Sequence, residues 1–545
     1  MTDTEGEPSG HTKRLASAGG RVAVASTVSR ATGFVRTVVI AAVLGAGAVA
    51  DAYNGANTFP NMVYELLIGG VLASVLIPML ATAGSRGDEY GRQFAHRMVV
   101  ALTIALAGLT LVAVVAAPFI AHLFVTDPSQ RTLTTAFSYL LLPEIFFYGV
   151  TAVLAAVLNV RDEFGAAAWA PVVNNLVVIL TAGLFLLIPG PPTLQPESMT
   201  SAQILVLGIG TTFGIVGQAT VLLVALHRSG FRWFRRVRIL PRSWGPIRAM
   251  GSLAGWVLGY VVASQIGVAV VMRVAFTRGG VSVFTYADLL FQVPFGIIAV
   301  SVLTVLSPRI SRAMAIGDVT SVVGDLGRGA RYLALTLVPV SAAMTILGPP
   351  VATVMFTGRV TVDQAQLIGL TLSFAAFGLL PLATVMLQMR VFYAAHDART
   401  PTLINVVMVL TKVSLVALSA NTLGDRDVIL MFGFASSASY VVGALAGHLL
   451  LRRRYGPLGF TVVTRMWVRV SIATVIASAA AIGAMVLSSG IGGTPRVAAV
   501  VELISGSLAG FVVLILVANV LHIREAGHAR RLLIPASRFA WFRRI

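Results

Sequence analysis

Long apolar segments recur along nearly the whole chain, and short polar stretches separate them. Each segment has about 18 or more apolar residues, enough for a helix to cross the roughly 30 Å of hydrocarbon in a bilayer. We predict about fourteen transmembrane helices, with end errors of about two to four residues. They cover residues 22–46, 58–82, 96–121, 134–158, 168–190, 203–227, 248–272, 281–306, 332–356, 365–392, 401–420, 428–450, 467–488 and 498–521. The pattern is that of an all-α integral membrane protein.

The amino-acid composition agrees with this fold class and excludes several kinds of functional site. Apolar residues make up 57% of the chain and charged residues 11%, against about 25% charged in soluble domains. There is no cysteine, which excludes disulfides, thiolate metal sites and cysteine nucleophiles. Neither lysine, Lys13 or Lys412, follows a P-loop glycine pattern, and the eight histidines have no metal-ligand spacing. We therefore predict no enzyme activity, no metal and no cofactor.

The net charge of +19 does not indicate nucleic acid, because the arginines lie in short loops between spans. With the N-terminus cytoplasmic, 31 of the 40 Lys and Arg residues fall on the inner side, as the positive-inside rule requires. This predicts two cytoplasmic termini. Residues 1–20 are expected to form a disordered tail, and the basic residues 522–545 a segment suited to an anionic inner leaflet.

An internal repeat with an offset of 230 residues relates the two halves of the chain. It pairs Pro78 with Pro308, Gly87 with Gly317, Asp88 with Asp318, Pro171 with Pro401, and Asn175 with Asn405. On this pattern Pro171 and Pro401 open helices, whereas Pro78 and Pro308 end them. An offset of six helices predicts two parallel six-helix lobes, 21–230 and 231–455, followed by a helix pair in 456–521. Transporters built from such repeats bind substrate between the halves and alternate access around it.

Two arginines, Arg30 and Arg36, lie inside the first apolar segment. A charge in hydrocarbon costs several kcal/mol at least, so such residues indicate a functional site by default. Snorkelling, or pairing with an acid such as Glu65, is the structural alternative. The two arginines are about 120° apart on an ideal helix, so a bend near Gly33 or their own length must bring them together. We expect them to bind an anionic substrate.

Other polar residues in the spans have two readings each. Asp51 and Asp288 are equally compatible with function and with helix capping or a structural salt bridge. Asn175 and Asn405 each follow a proline by four residues, and a structural role is favoured. For Lys412, pairing between helices is the simplest explanation.

Three sequence motifs resemble the MurJ/MviN family, the lipid II flippases of the MATE-like MOP exporter superfamily. The first is SRATGFVRTVVIAAVLGAGAVADAYNGANTFPNM at 29–62, the second TYADLLFQVPFGIIAVSVLTVLSPRIS at 285–311, and the third VFYAAHDARTP at 391–401. By this resemblance Arg30 and Arg36 match arginines of the family's central cavity. Asp51 and Asp288 match its acidic positions.

The chain departs from the best-known members of that family at three places. Tyr64-Glu65 stands where they have an arginine pair, Leu289 where they have arginine, and Gln292 where they have glutamate. The charge of the cavity is therefore redistributed. Arg273, near the outer end of the seventh predicted helix, is the candidate replacement for the missing positive charge, with a solvated loop arginine as the equal alternative.

The resemblance implies a flippase in the bacterial inner membrane that carries undecaprenyl-pyrophosphate-linked peptidoglycan precursor to the outer leaflet. The last helix pair would hold the lipid tail in a groove. Without an ATP site, the driving force is an ion gradient, the membrane potential or consumption of product by the cell-wall synthesis machinery. The alternatives are a flippase for another polyprenyl-linked oligosaccharide, a drug/cation antiporter on the same fold, and a scaffold that transports nothing. Some relatives continue into a further cytoplasmic domain, so a longer native chain is also an expectation.

Overall fold

The computed structural model describes residues 10–67, 87–161, 163–191, 193–230, 251–458, 460–491 and 493–521, and this part of the chain contains no strand. The α-helices in chain order are α1 Gly10–Leu44, α2 Ala48–Glu65, α3 Asp88–Val115, α4 Ala117–Phe124, α5 Pro128–Leu141, α6 Glu144–Val160, α7 Phe164–Leu186, α8 Ser201–Arg228, α9 Gly251–Arg278, α10 Val281–Pro294, α11 Val300–Ala315, α12 Val319–Met355, α13 Val362–Ala376, α14 Leu379–Ala394, α15 Arg399–Thr422, α16 Asp425–Tyr455, α17 Phe460–Ser488 and α18 Pro495–Val520. A π-helical turn, Phe295–Ala299, joins α10 to α11.

The all-helical membrane fold is confirmed, but the total of about fourteen spans is not. Among the described residues, twelve helical segments are long and apolar enough to cross a membrane. The bent pair α13 and α14, with 48° between its parts, makes thirteen if it counts as one span. Most of the predicted second span, 58–82, lies outside the described residues. Helix α1 begins at Gly10, so it overlaps the predicted tail 1–20, and the predicted tail 522–545 lies outside the described residues.

The chain divides into two compact units, Met1–Ser282 and Val283–Ile545. In the first unit, α2 packs on α5, and α7 packs on both α1 and α8. Its core joins the C-terminal end of α1 to α2, α5 and α7 through residues such as Tyr53, Phe137 and Phe185. The repeat predicts a boundary after Gly230, whereas α9 belongs to this first unit. The Phe276 ring of α9 lies so close to Gly55 that a Cβ there would overlap it.

In the second unit, α12 is the common support of several helices. It packs on α11, α13, α17 and α18, and α17 packs along α18. At the crossing with α13 the backbones meet at Gly348 and Gly369, where a Cβ on either residue would overlap the other helix. An apolar groove of about 810 Å³ lies between α12, α17 and α18.

The residues paired by the repeat have similar surroundings where they are described. Gly87 and Gly317 both have positive φ, 120° and 74°. Gly87 directly precedes α3, and Gly317 precedes Asp318, the N-cap of α12. Asn175 and Asn405 are both buried. Pro78 lies outside the described residues. The two-lobe repeat stays a prediction that these matched turns support.

Two prolines do not mark the helix ends that the sequence predicts. Pro171 lies inside α7, which begins at Phe164 and not at the proline. Pro308 lies inside α11, which continues to Ala315. A proline removes one backbone hydrogen bond, but membrane helices tolerate it because neighbouring groups and local adjustments satisfy the freed carbonyl.

Candidate functional site

The two arginines of the first apolar segment both lie on α1, which is helical from Gly10 to Leu44. Arg30 is exposed and Arg36 is half-buried. Both side chains are therefore accessible from outside the helix bundle, and binding of an anionic substrate by them stays a prediction.

Asn175 of α7 forms hydrogen bonds to this stretch of α1. Its amide nitrogen donates to the carbonyl oxygen of Ser29 at 3.1 Å and to the hydroxyl of Thr32 at 3.0 Å. A Cβ at Gly33 would lie 3.4 Å from the same amide nitrogen. Gly33 thus gives Asn175 room to approach, and Asn175 holds the backbone next to Arg30. A bend at Gly33 stays a prediction, because the helix continues on both sides of it.

Sequence reasoning missed an acidic residue beside Arg36. Glu144 begins α6, and its side chain is fully buried at 0% exposure. It interacts electrostatically with Arg36 of α1, and so do Tyr53 and Tyr148. The signal was available, because Glu144 is an acidic residue in the predicted span 134–158. A sequence does not show which residues of distant helices lie close together. On the sequence alone, Glu65 was the suggested acidic partner of Arg36.

Asp51 has the capping role that the sequence allowed. Its buried carboxylate accepts a hydrogen bond from the backbone N–H of Ser282 at 2.7 Å, in the first turn of α10. Asn54, one turn further along α2, donates to the Ser282 hydroxyl at 3.0 Å. Because the first N–H groups of a helix have no partner within it, Asp51 and Asn54 fix where α10 begins.

In the second unit, Asp288 of α10 is brought close to Gln292 and Lys412. Gln292, one turn away on the same helix, forms a side-chain hydrogen bond with the Asp288 carboxylate. Lys412 of α15 interacts electrostatically with the same carboxylate. The Lys412 ammonium also lies over the Phe284 ring, 5.6 Å from its centroid. The cation–π contact and the carboxylate together compensate the only lysine among the residues whose side chains the structure describes.

Arg273 has a structural partner. Although its side chain is exposed, its guanidinium donates to the carbonyl oxygen of Leu123, in the last turn of α4. A cation at a helix C-terminus is favourable because the last carbonyls have no partner within the helix. This contact ties α9 to α4 and favours the structural alternative for Arg273 over a place in the substrate site.

The acid of the third motif, Asp397, lies just outside the spans and caps the start of α15. Its carboxylate accepts hydrogen bonds from the backbone and hydroxyl of Thr400 and pairs with Arg454 at 2.8 Å. Partial burial acts to raise the pKa of Asp397, but these hydrogen bonds and the guanidinium hold it below its ordinary value. The motif therefore joins the start of α15 to the end of α16.

The structure thus contains two polar clusters, each of which includes residues predicted from the sequence. Arg36 with Glu144 lies in the first unit, and Asp288 with Gln292 and Lys412 lies in the second. Within the described ranges, no group of three or more His, Asp or Glu residues could hold a metal ion. Exposed or half-exposed guanidinium groups in a membrane helix suit a phosphate-bearing ligand, since arginine binds phosphate bidentately.

Comparison with known proteins identifies the relatives of this fold. The family model described as "Lipid II flippase MurJ" matches residues 40–521. The probable lipid II flippase MurJ of Rhizobium meliloti (strain 1021) is 28% identical over 418 residues, 74% of either chain. That of Haemophilus influenzae is 27% identical over 448 residues, 78% of this chain and 83% of the relative.

Solved structures agree on the fold. A lipid II flippase MurJ in an inward closed conformation superposes with a TM-score of 0.73 at 18% identity, over 92% of this chain and 99% of that one. An inward-facing multidrug resistance MATE family transporter of the MOP superfamily gives 0.65 at 16% identity, over 79% and 96%. The membrane fold is shared by both kinds of transporter.

Proposed function

Because this chain belongs to the lipid II flippase MurJ family, we propose that it moves lipid II from the inner to the outer leaflet of the bacterial inner membrane. The observation that carries this proposal is the family match over residues 40–521. It favours lipid II over another polyprenyl-linked oligosaccharide, and over the drug/cation antiport that the fold alone would allow.

The chemistry of the substrate explains why intramembrane arginines support this role. Lipid II has a large polar head group on a pyrophosphate, which cannot cross hydrocarbon unaided. Arg30 and Arg36 precede the matched range, so their role rests on their position in α1. We propose that they bind the pyrophosphate, and that Asp288 and Gln292 contact the polar head group. Arg273 is left out of this set because it is bonded to Leu123, and Asp51 because it caps α10.

We further propose transport by alternating access, with both termini cytoplasmic and without catalysis by this chain. An ion gradient, the membrane potential or removal of product by the cell-wall synthesis machinery would supply the driving force. The absence of a P-loop from the sequence supports an energy source other than bound ATP.

Depletion of the protein in its own host tests the substrate. We expect lipid II to accumulate in the inner leaflet, measured by its inaccessibility to a non-permeant enzyme that cleaves the exposed pyrophosphate lipid. Re-expression of the full chain should restore accessibility. Accumulation of a different polyprenyl-linked precursor, with lipid II unchanged, would assign the chain to the rival flippase class.

The groove between α12, α17 and α18 supports a site for the lipid tail. Its lining is mainly apolar, with Ala343 and Phe511 among its apolar residues and Ser478 among its few polar ones. An isoprenoid chain gains roughly 0.8 kcal/mol for each CH₂ that leaves water, but gains nothing of this kind when it leaves lipid. The groove would therefore guide the tail by shape.

Filling the groove with a larger side chain should impair transport of lipids with a long tail more than that of lipids with a short tail. We expect Ala343→Trp to slow transport of full-length lipid II several-fold while leaving the affinity for a short-tailed analogue unchanged. Thr345→Trp is the matched control, because Thr345 is an exposed residue of the same helix outside the groove lining. Transport in reconstituted vesicles measures the effect. Equal rates for the two variants would contradict the assignment of the groove.

A further inference from the structure

The carboxyl group of Glu144 has an unusual environment for a residue in a membrane span. Its side chain is 0% exposed, and none of the described residues donates a hydrogen bond to either of its oxygens. The neighbouring Thr212 hydroxyl has one proton, which it donates to the carbonyl oxygen of Leu140 at 2.6 Å. Burying an unpaired carboxylate costs several kcal/mol, so this group needs a nearby cation or a proton.

The groups that face Glu144 come from its own helix and from its neighbours. Arg36 of α1 supplies the positive charge, and Thr212 lies beside the carboxyl on α8. Tyr53 of α2 and Tyr148 of α6 are close enough to interact electrostatically with it. The Tyr53 hydroxyl is already bonded to Thr211 at 2.8 Å, and the Tyr148 ring packs against the Tyr64 ring at a tilt of 37°, with centroids 4.6 Å apart. Arg36 is thus the group that compensates an ionised Glu144.

Arg36 can serve Glu144 or a ligand, because its side chain is half-buried and still accessible. When the guanidinium turns to a pyrophosphate, Glu144 loses the charge that stabilises its ionised form. The carboxylate then gains by taking a proton from water, which forms one O–H bond and leaves the neutral acid. When the ligand departs, the proton returns to water and Arg36 faces the carboxylate again.

We infer that Glu144 is a positioning residue that acts through Arg36 and links binding of the lipid pyrophosphate to uptake of one proton. The inference rests on the proposed function, since it takes the pyrophosphate of lipid II as the ligand of Arg36. If Glu144 were only a structural counter-ion, it would hold Arg36 in place without any exchange of protons. Glu144 also lies in the first turn of α6, where the helix dipole favours an anion, so the two roles must be separated by experiment.

The sign of the pH dependence follows from proton counting. The complex holds one more proton than the free protein, so affinity weakens as pH rises. The limit is tenfold per pH unit, reached where Glu144 is ionised in the free protein and protonated in the complex. The guanidinium, the phenols and a pyrophosphate diester keep their charge between about pH 6 and 8, so a slope in this range reports the carboxyl group.

The test measures the affinity of the purified full-length chain for a short-tailed lipid II between pH 6 and pH 8. Wild type should bind several-fold to tenfold more weakly for each unit of rising pH. Glu144→Gln, which keeps the shape of the side chain and removes its charge, should bind with an affinity independent of pH. The control Glu163→Gln, at an exposed acid of the same unit, should keep the wild-type slope.

Proton uptake by the wild-type protein provides a second measurement that needs no variant. Addition of the lipid to protein in a weakly buffered solution should raise the pH by an amount equal to nearly one proton per complex at a pH within the sloping range. A pH-independent wild-type affinity, or an unchanged slope in Glu144→Gln, would overturn the inference and leave the proposed function intact. Failure of lipid II to bind at any pH would overturn the proposed function as well.

Discussion

Arg36→Ala is expected to abolish transport of lipid II, and Arg36→Lys to retain a small part of it. Arg36 is a half-buried cation in a membrane helix, and a hydrogen bond to a charged group is worth roughly 1.5–3 kcal/mol. Its loss should weaken binding of the pyrophosphate about tenfold to a hundredfold. Lysine restores the charge but not the bidentate geometry. Complementation of a depletion strain, together with the affinity for lipid II, measures both effects.

The controls for Arg36 must separate transport from folding. Removing Arg36 leaves Glu144 buried without its cation, which by itself destabilises the first unit. The double variant Arg36→Ala with Glu144→Gln removes both charges, so it should recover thermal stability without recovering transport. Arg426→Ala, at an exposed arginine near the start of α16, should behave as wild type. Full complementation by Arg36→Ala would remove this residue from the substrate site.

Neutralising one member of the Asp288 and Lys412 pair is expected to destabilise the second unit. Lys412 is half-buried and is compensated by Asp288 and by the Phe284 ring. Because the Asp288 side chain is exposed, solvent screens this interaction, and we expect it to contribute about 0.2–1 kcal/mol. Asp288→Asn and Lys412→Met should each lower the thermal unfolding midpoint in detergent.

A double variant distinguishes stability from transport at this pair. Asp288→Asn with Lys412→Met leaves no unpaired charge, so its unfolding midpoint should return towards wild type. If Asp288 also contacts the head group of the substrate, transport should remain impaired in the double variant. Asp425→Asn, an exposed acid at the start of α16, is the control for general effects of lost charge. Single variants as stable as wild type would show that the pair contributes nothing to folding.

Much of the fold follows from the sequence because the bilayer imposes one simple constraint. Every backbone polar group in hydrocarbon must be satisfied within the chain, so apolar segments of sufficient length form helices. Thirteen of the fourteen predicted segments overlap helices that are long and apolar enough to cross a membrane, if the bent pair is counted as one span. Most of the remaining segment, 58–82, lies outside the described residues. Their ends were harder to predict, since Pro171 and Pro308 lie inside helices and not at their ends. A proline in a membrane helix is compatible with continuation, and no local signal separates the two cases.

The sequence likewise identifies some residues of the candidate site but not the groups that they contact. The sequence identifies the charged residues that lie within apolar segments, because such residues stand out among apolar neighbours. They are Arg30, Arg36, Asp51, Asp288 and Lys412. Their partners could not be identified in this way. Asp51 reaches Ser282 across 231 positions of sequence, and Arg273 reaches Leu123 across 150.

The sequence by itself therefore determined that this is a helical membrane protein with two arginines inside its first apolar segment. Tertiary structure alone decided that Asp51 and Arg273 serve helix ends, that Lys412 faces Asp288, and that Arg36 faces Glu144. The physical reason is that the cost of a buried charge depends on its residue type and depth, which the sequence displays. What compensates that charge depends on which helices pack together, and this is a property of the folded chain.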